Sequence, residues 1–138
     1  MAVKNIRKIV VNAPIWEPIL INRNISIIDL GPYENKNVDY PDYAKKISKR
    51  IKEKKSDVGI LVCGSGTGMA ITANKIKTIR AAVCYNIKST RLSRQHNNAN
   101  IIALGARLTK KNLSLNLVKI FLETKFEGGR HLRRIKKI

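Results

Sequence analysis

Cys63-Gly64-Ser65-Gly66-Thr67-Gly68, a cysteine followed by glycine at every second position, is the stretch of this chain best suited to chemistry. A cysteine thiolate can act as nucleophile or base. Glycines let the backbone fold close to a ligand, and the free amides at a helix start favour an anion. The apolar run Gly59 to Cys63 has the composition of a buried strand, and Met69 to Lys75 that of a helix. Strand, tight loop and helix in that order place a site at the carboxyl edge of a parallel sheet. Spacing alone leaves two readings of Cys63 level: a reactive thiol, or the small buried hydrophobe that a lone cysteine commonly is. The loop is neither a dinucleotide fingerprint, because Met69 replaces the third glycine, nor a Walker loop, because no Gly-Lys-Ser/Thr ending follows.

Other chemistry-bearing residues come later in the chain. His96 lies in Arg94-Gln95-His96-Asn97-Asn98, ahead of an apolar run. It reads either as a surface histidine or as an acid–base group approaching a neighbouring site. His96 and His131 are the only two histidines, and no cysteine pair accompanies them, so no metal site is expected. Arg130, Arg133 and Arg134 follow Gly128-Gly129. They suit either a solvated tail or a segment wrapping a phosphate, whose oxygens match forked guanidinium donors. Arg107, after Leu104-Gly105-Ala106, has a similar place beyond a strand. Cys84 ends an apolar run but lacks a glycine loop, and it is assigned to the core.

The elements that must position these groups alternate. Strands are expected at 8–11, 24–30, 59–63, 79–84 and 100–104, from short β-branched or apolar runs. Asp39-Tyr40-Pro41-Asp42 marks a helix start, with Tyr43, Ala44, Ile47 and Ile51 at helical spacing after it. Further helices are expected over 69–75, 89–97 and 110–125, and 126–135 reads as a basic tail. Pro14 and Pro18 argue against a regular helix in between. The fold class is therefore α/β: one domain over 1–138, a three-layer sandwich with a mostly parallel, Rossmann-like sheet and helices on both faces.

At 138 residues the chain can bury one proper core. No apolar run is long enough to span a membrane, and the N-terminus lacks the apolar core of a signal peptide. Two cysteines at strand ends suit a reducing cytoplasm better than a disulfide. The net charge of +19 invites a nucleic-acid reading. Its lysines are scattered, however, without a basic stripe and with few aromatics, which reads as compositional drift, so no nucleic-acid partner is expected.

Several of these stretches together resemble ribose-5-phosphate isomerase B and its wider family, which includes galactose-6-phosphate isomerase subunits. They are Asp39-Tyr40-Pro41-Asp42, Cys63 to Met69, Ala73-Asn74-Lys75, Ile79-Arg80-Ala81-Ala82, Gln95 to Asn100, Leu104 to Arg107 and Phe126 to His131. The resemblance runs in order from about residue 25 to the C-terminus. It implies interconversion of ribose 5-phosphate and ribulose 5-phosphate, with no metal and no cofactor. Cys63 would be the base moving a proton between C1 and C2, and Ser65 with the amides of Gly64, Gly66, Thr67 and Gly68 would hold the enediolate oxygen. His96 would open the sugar ring, accompanied by Asn97. Tyr40 would line the pocket, and Arg107, Arg130 and Arg134 would contact phosphate and substrate. The family's dimers build sites between subunits, which implies a homodimer, with tetramers as an alternative. His96, the arginines and the tail 126–138 would then reach the partner.

One stretch departs from the pattern. The family carries Ser-Asp-His-Ala-Gly after the first strand, whereas Asn12-Ala13-Pro14-Ile15-Trp16 follows Val11 here, and residues 12–24 are atypical and short. An impaired or non-catalytic sugar-phosphate binder, or an isomerase of a hexose 6-phosphate, are the alternatives this leaves.

Overall fold

The computed structural model of the chain describes residues 6, 8–12, 24–33 and 37–138. Among the described residues, short apolar and β-branched runs form five strands: β1 Lys8–Val11, β2 Ser26–Asp29, β3 Val58–Cys63, β4 Ala81–Val83 and β5 Ile101–Gly105. They make one sheet in the order β2-β1-β3-β5-β4, every pair parallel. Five helices alternate with them among the described residues: α1 Tyr40–Lys52, α2 Thr67–Asn74, α3 Ile87–Asn97, α4 Lys111–Glu123 and α5 Arg130–Ile135.

Parallel strands must be covered on both faces, and side chains alternate along each strand. Ile9, Val11, Ile60, Ile102 and Leu104 meet Leu117, Val118 and Phe121 of α4 on one face. Val10, Leu61, Ile101 and Ala103 meet Ala44, Ile47 and Ile51 of α1 and Met69, Ala70 and Ala73 of α2 on the other. Gly59 lies where α1 crosses the sheet: a Cβ there would come within 2.8 Å of the Ile47 side chain.

The expected sheet is present, with shifted ends. β2 is shorter than 24–30 because Asn24 adopts φ +54, a left-handed turn conformation. β4 is trimmed to three residues, Arg80 at its start having its amide taken by the Asn100 side chain instead of by the ladder. α2 starts at Thr67, with Gly66 at φ +78 as its N-cap, so Thr67 and Gly68 belong to the first helical turn. α3 starts at Ile87 because Asn86 caps it, its side chain accepting from the Ser89 amide at 2.8 Å. The basic tail is not extended: Gly128 and Gly129 turn the chain at positive φ, and Arg130–Ile135 forms α5, anchored by buried His131. The expected irregular segment after Asn12 lies outside the described residues. No described helix is long and apolar enough to cross a membrane.

Two opposed edges carry the candidate site

The carboxyl edge of the sheet holds Cys63. The thiol lies at the end of β3, half-buried on the rim of the α1–α2 core. The Gly66 amide donates to its Sγ at 3.1 Å, so the first free N–H ahead of α2 is aimed at the sulfur. That amide reaches it because the loop folds tightly across β5: a Cβ on Gly105 would sit 2.7 Å from the Ser65 carbonyl oxygen, and one on Gly66 3.0 Å from the Leu104 backbone. The exposed Ser65 hydroxyl accepts from the Thr67 amide at 3.3 Å, so it stands over the start of α2. The Tyr40 ring packs on Gly68, where a Cβ would lie 2.5 Å from its Cζ. Arg107 lays its guanidinium against Gly64, and its own amide donates to the Gly64 carbonyl at 3.0 Å.

Asn12 completes this edge, and its role was not foreseen. β1 ends at Val11, paired with Ile60. One residue on, the buried Asn12 side chain continues the ladder: Nδ2 donates to the Val62 carbonyl at 2.9 Å, and the Val62 amide donates to Oδ1 at 2.7 Å. The chain leaves β1 for β2 on one side and returns to β3 on the other, so Asn12 clamps the point where strand order reverses, the usual position of ligand crevices in such sheets.

His96 is at the other edge. α3 runs back from the carboxyl end of β4, so its last turn lies beside the start of β5. Cys63 pairs with Gly105 at the end of β5. The length of β5, roughly 13 Å at the rise of a strand, therefore separates the two groups. His96 stacks on His131, ring centroids 4.2 Å apart and planes 11° apart. Glu127 Oε2 lies 3.9 Å from His96 Nε2 and 3.5 Å from His131 Nε2. Burial, then the neighbouring His96 and Arg130, lower the pKa of His131, with Glu127 acting the other way. Arg80 braces the corner, its Nε donating to the Asn97 and Asn98 carbonyls at 3.1 Å each. Arg94 lies over the Phe121 ring. A cavity of about 340 Å³ opens on this edge beside Arg80, Arg94 and Asn98, away from Cys63. Asn97, Arg130 and Arg134 are exposed here.

The expected site residues thus fall into two groups. Tyr40, Cys63, Gly64, Ser65, Gly66, Thr67, Gly68 and Arg107 share the carboxyl edge, and His96, Asn97, Arg130 and Arg134 share the amino edge. Arg107 corrects one expectation: it lies on Cys63's own edge and not with the arginines meant for a partner, because β5 neighbours β3 and their loops leave side by side. Cys84 is 1 % exposed in the core, as expected, and burial raises its thiol pKa, against the Thr90 and Ser93 hydroxyls.

A parallel α/β sandwich with a thiol and a glycine loop at its switch edge has the architecture of an enzyme. The family model described as Ribose/Galactose Isomerase matches residues 9–138. Ribose-5-phosphate isomerase B of Escherichia coli is 40% identical over 119 residues, covering 86% of this chain and 80% of that one. A ribose-5-phosphate isomerase structure from Thermotoga maritima superposes with a TM-score of 0.89 at 41% identity, covering 97% of both chains. A Mycoplasma genitalium ribose-5-phosphate isomerase B structure with bound ribulose 5-phosphate gives 0.87 at 36% identity, covering 94% of this chain and 92% of that one. The chain belongs to the ribose/galactose isomerase family of sugar-phosphate isomerases.

Proposed function

We propose that the chain interconverts ribose 5-phosphate and ribulose 5-phosphate, as a cytoplasmic homodimer whose sites join the carboxyl edge of one protomer to the amino edge of its partner. The single observation behind this reading is the placement of Cys63 Sγ, half-exposed and held by the Gly66 amide at 3.1 Å. The thiolate removes the proton from C2 of the open-chain aldose as charge develops on the C1 oxygen. The same proton then returns to C1, while the hydroxyl proton moves from the C2 oxygen to the C1 oxygen, leaving the carbonyl at C2. Ser65 and the first amides of α2 face the enediolate oxygen, the charge that preorganised donors stabilise best. Among the described residues of the 63–68 loop, Cys63 is the one whose side chain is suited to accept the carbon-bound proton.

His96 opens the furanose ring, with Asn97 beside it, and Arg130 and Arg134 take the phosphate. Tyr40 and Arg107 line the sugar. Because β5 separates His96 from Cys63 within one chain, these roles meet only across a two-fold interface, and the segment 126–138 is the part that reaches over. The mycoplasmal relative's bound ribulose 5-phosphate supports the choice of a pentose phosphate.

The test is complementation. Cys63→Ala and His96→Ala chains, each inactive alone, are unfolded together, refolded and assayed for ribose 5-phosphate turnover. Random pairing in a two-fold dimer restores about a quarter of native activity, since half the dimers are mixed and each holds one intact site. No recovery from correctly refolded dimers would remove the composite site, and full activity in Cys63→Ala would remove the assigned base.

A further inference from the structure

His96, His131 and Glu127 present two imidazole nitrogens and a carboxylate oxygen, all within 4.8 Å of one another. We propose that this triad binds a late first-row divalent ion such as Zn²⁺, and that the bound ion inhibits turnover by engaging His96. The second half rests on the ring-opening role proposed for His96, and the first half does not.

Donor type and spacing carry the proposal. Two imidazoles and a carboxylate suit zinc, which forms bonds of about 2.0–2.1 Å. Tetrahedral bonds of that length set ligand atoms about 3.4 Å apart. The Nε2–Oε2 separations of 3.5 and 3.9 Å lie close to this, and the half-exposed His96 ring must swing out of its stack on His131 to aim its in-plane lone pair at a shared ion. The donors are also held from both sides. The Glu127 amide donates to the Gln95 carbonyl at 3.1 Å, pinning the carboxylate beside His96. Gly128 and Gly129, at φ +69 and +55, turn the chain so that the His131 amide donates to the Gly128 carbonyl at 3.0 Å and the buried ring faces Glu127. The nearby Arg130 and Arg134 oppose a cation, which places the expected affinity in the micromolar range and not at the level of a structural zinc site. Three protein donors leave one position open for water.

Calorimetric titration of Zn²⁺ into the metal-free full-length protein tests the site directly, with Co²⁺ absorption as a second signal. One ion per chain is expected, with affinity reduced at least tenfold in His131→Gln and in Glu127→Gln and unchanged in Cys63→Ser. Glu127 is exposed, so its variant tests the site even where loss of the buried His131 ring prevents folding. Zn²⁺ at concentrations around its dissociation constant should inhibit ribose 5-phosphate turnover in the wild-type protein, and the Glu127→Gln variant should need at least tenfold more. Absence of binding, binding indifferent to Glu127→Gln, or binding lost in Cys63→Ser would overturn the site. Binding without inhibition of an active enzyme would overturn the inhibitory role alone. An inactive protein that still binds the ion would refute the isomerase reading while leaving the site intact.

Discussion

Replacing Asn12 by alanine tests whether one side chain holds the switch point closed. The substitution removes two hydrogen bonds, 2.9 and 2.7 Å long, and leaves the amide and carbonyl of Val62 without them where β1 has already ended. Only one orientation of the amide satisfies both bonds, since Val62 offers a donor to one end and an acceptor to the other. A buried backbone group left unpaired costs about 1–3 kcal/mol, and the half-burial of Val62 lets water recover part of that. The expected loss is about 2 kcal/mol in total. For a chain of this size that lowers the thermal midpoint by about 6 °C. Urea unfolding should show a lower midpoint at unchanged slope. Val62 precedes Cys63 directly, so kcat should fall more than KM rises. Asn12→Asp should cost at least as much, because its carboxylate can accept from the Val62 amide but meets the Val62 carbonyl with no proton to donate. A loss below about 0.5 kcal/mol, the level of an ordinary surface change, with unaltered kcat would refute the role given to this side chain.

Four further expectations follow from the same geometry. Iodoacetamide should label Cys63 alone in the native protein and abolish turnover, Cys84 reacting only in denaturant, as mass spectrometry of the labelled chain would reveal. Because burial raises the Cys84 pKa, the unfolded chain ionises first, so stability should fall as pH climbs above about 8.5 and Cys84→Ala should flatten that fall in urea titrations. Gly66→Ala forces a side chain into φ +78 against the Leu104 backbone, and should cost about 1–2 kcal/mol by denaturation along with most activity. Gly68→Ala meets the outer end of the exposed Tyr40 ring, which can swing toward solvent, so stability should hold while KM for ribose 5-phosphate rises; an unchanged KM would take Tyr40 out of the pocket.

Strand identity was legible because β1, β3 and β5 are short apolar runs needing cover on both faces, and helix α1 announced itself through Pro41 and its apolar spacing. Their ends were less so. Asn86 caps α3 through the Ser89 amide, a local signal that a start at Ser89 passes over, whereas the Asn100 side chain taking the Arg80 amide joins residues twenty apart that no periodicity links. Helix α5 was missed because six residues after two glycines carry almost no helical signal, and its anchor is the burial of His131 among distant residues. The carboxyl edge could be assembled from Cys63 and its glycines. The meeting of His96 with Glu127 and His131 depends on where α3 ends, which only the folded chain decides. Asn12 stood out in the sequence as a departure, yet its pairing with Val62 needs the β1–β3 register, and that is a property of the sheet.

If the site is composite as proposed, the strand-length gap between Cys63 and His96 makes turnover depend on protein concentration. Under the proposed two-fold arrangement an isolated protomer would carry every group of the reaction and complete none of it, so dilution below the dimer's dissociation constant would silence turnover without unfolding anything. A chain damaged at both edges would, moreover, disable both sites of any dimer it enters, and its presence in a mixture would subtract more activity than its own share.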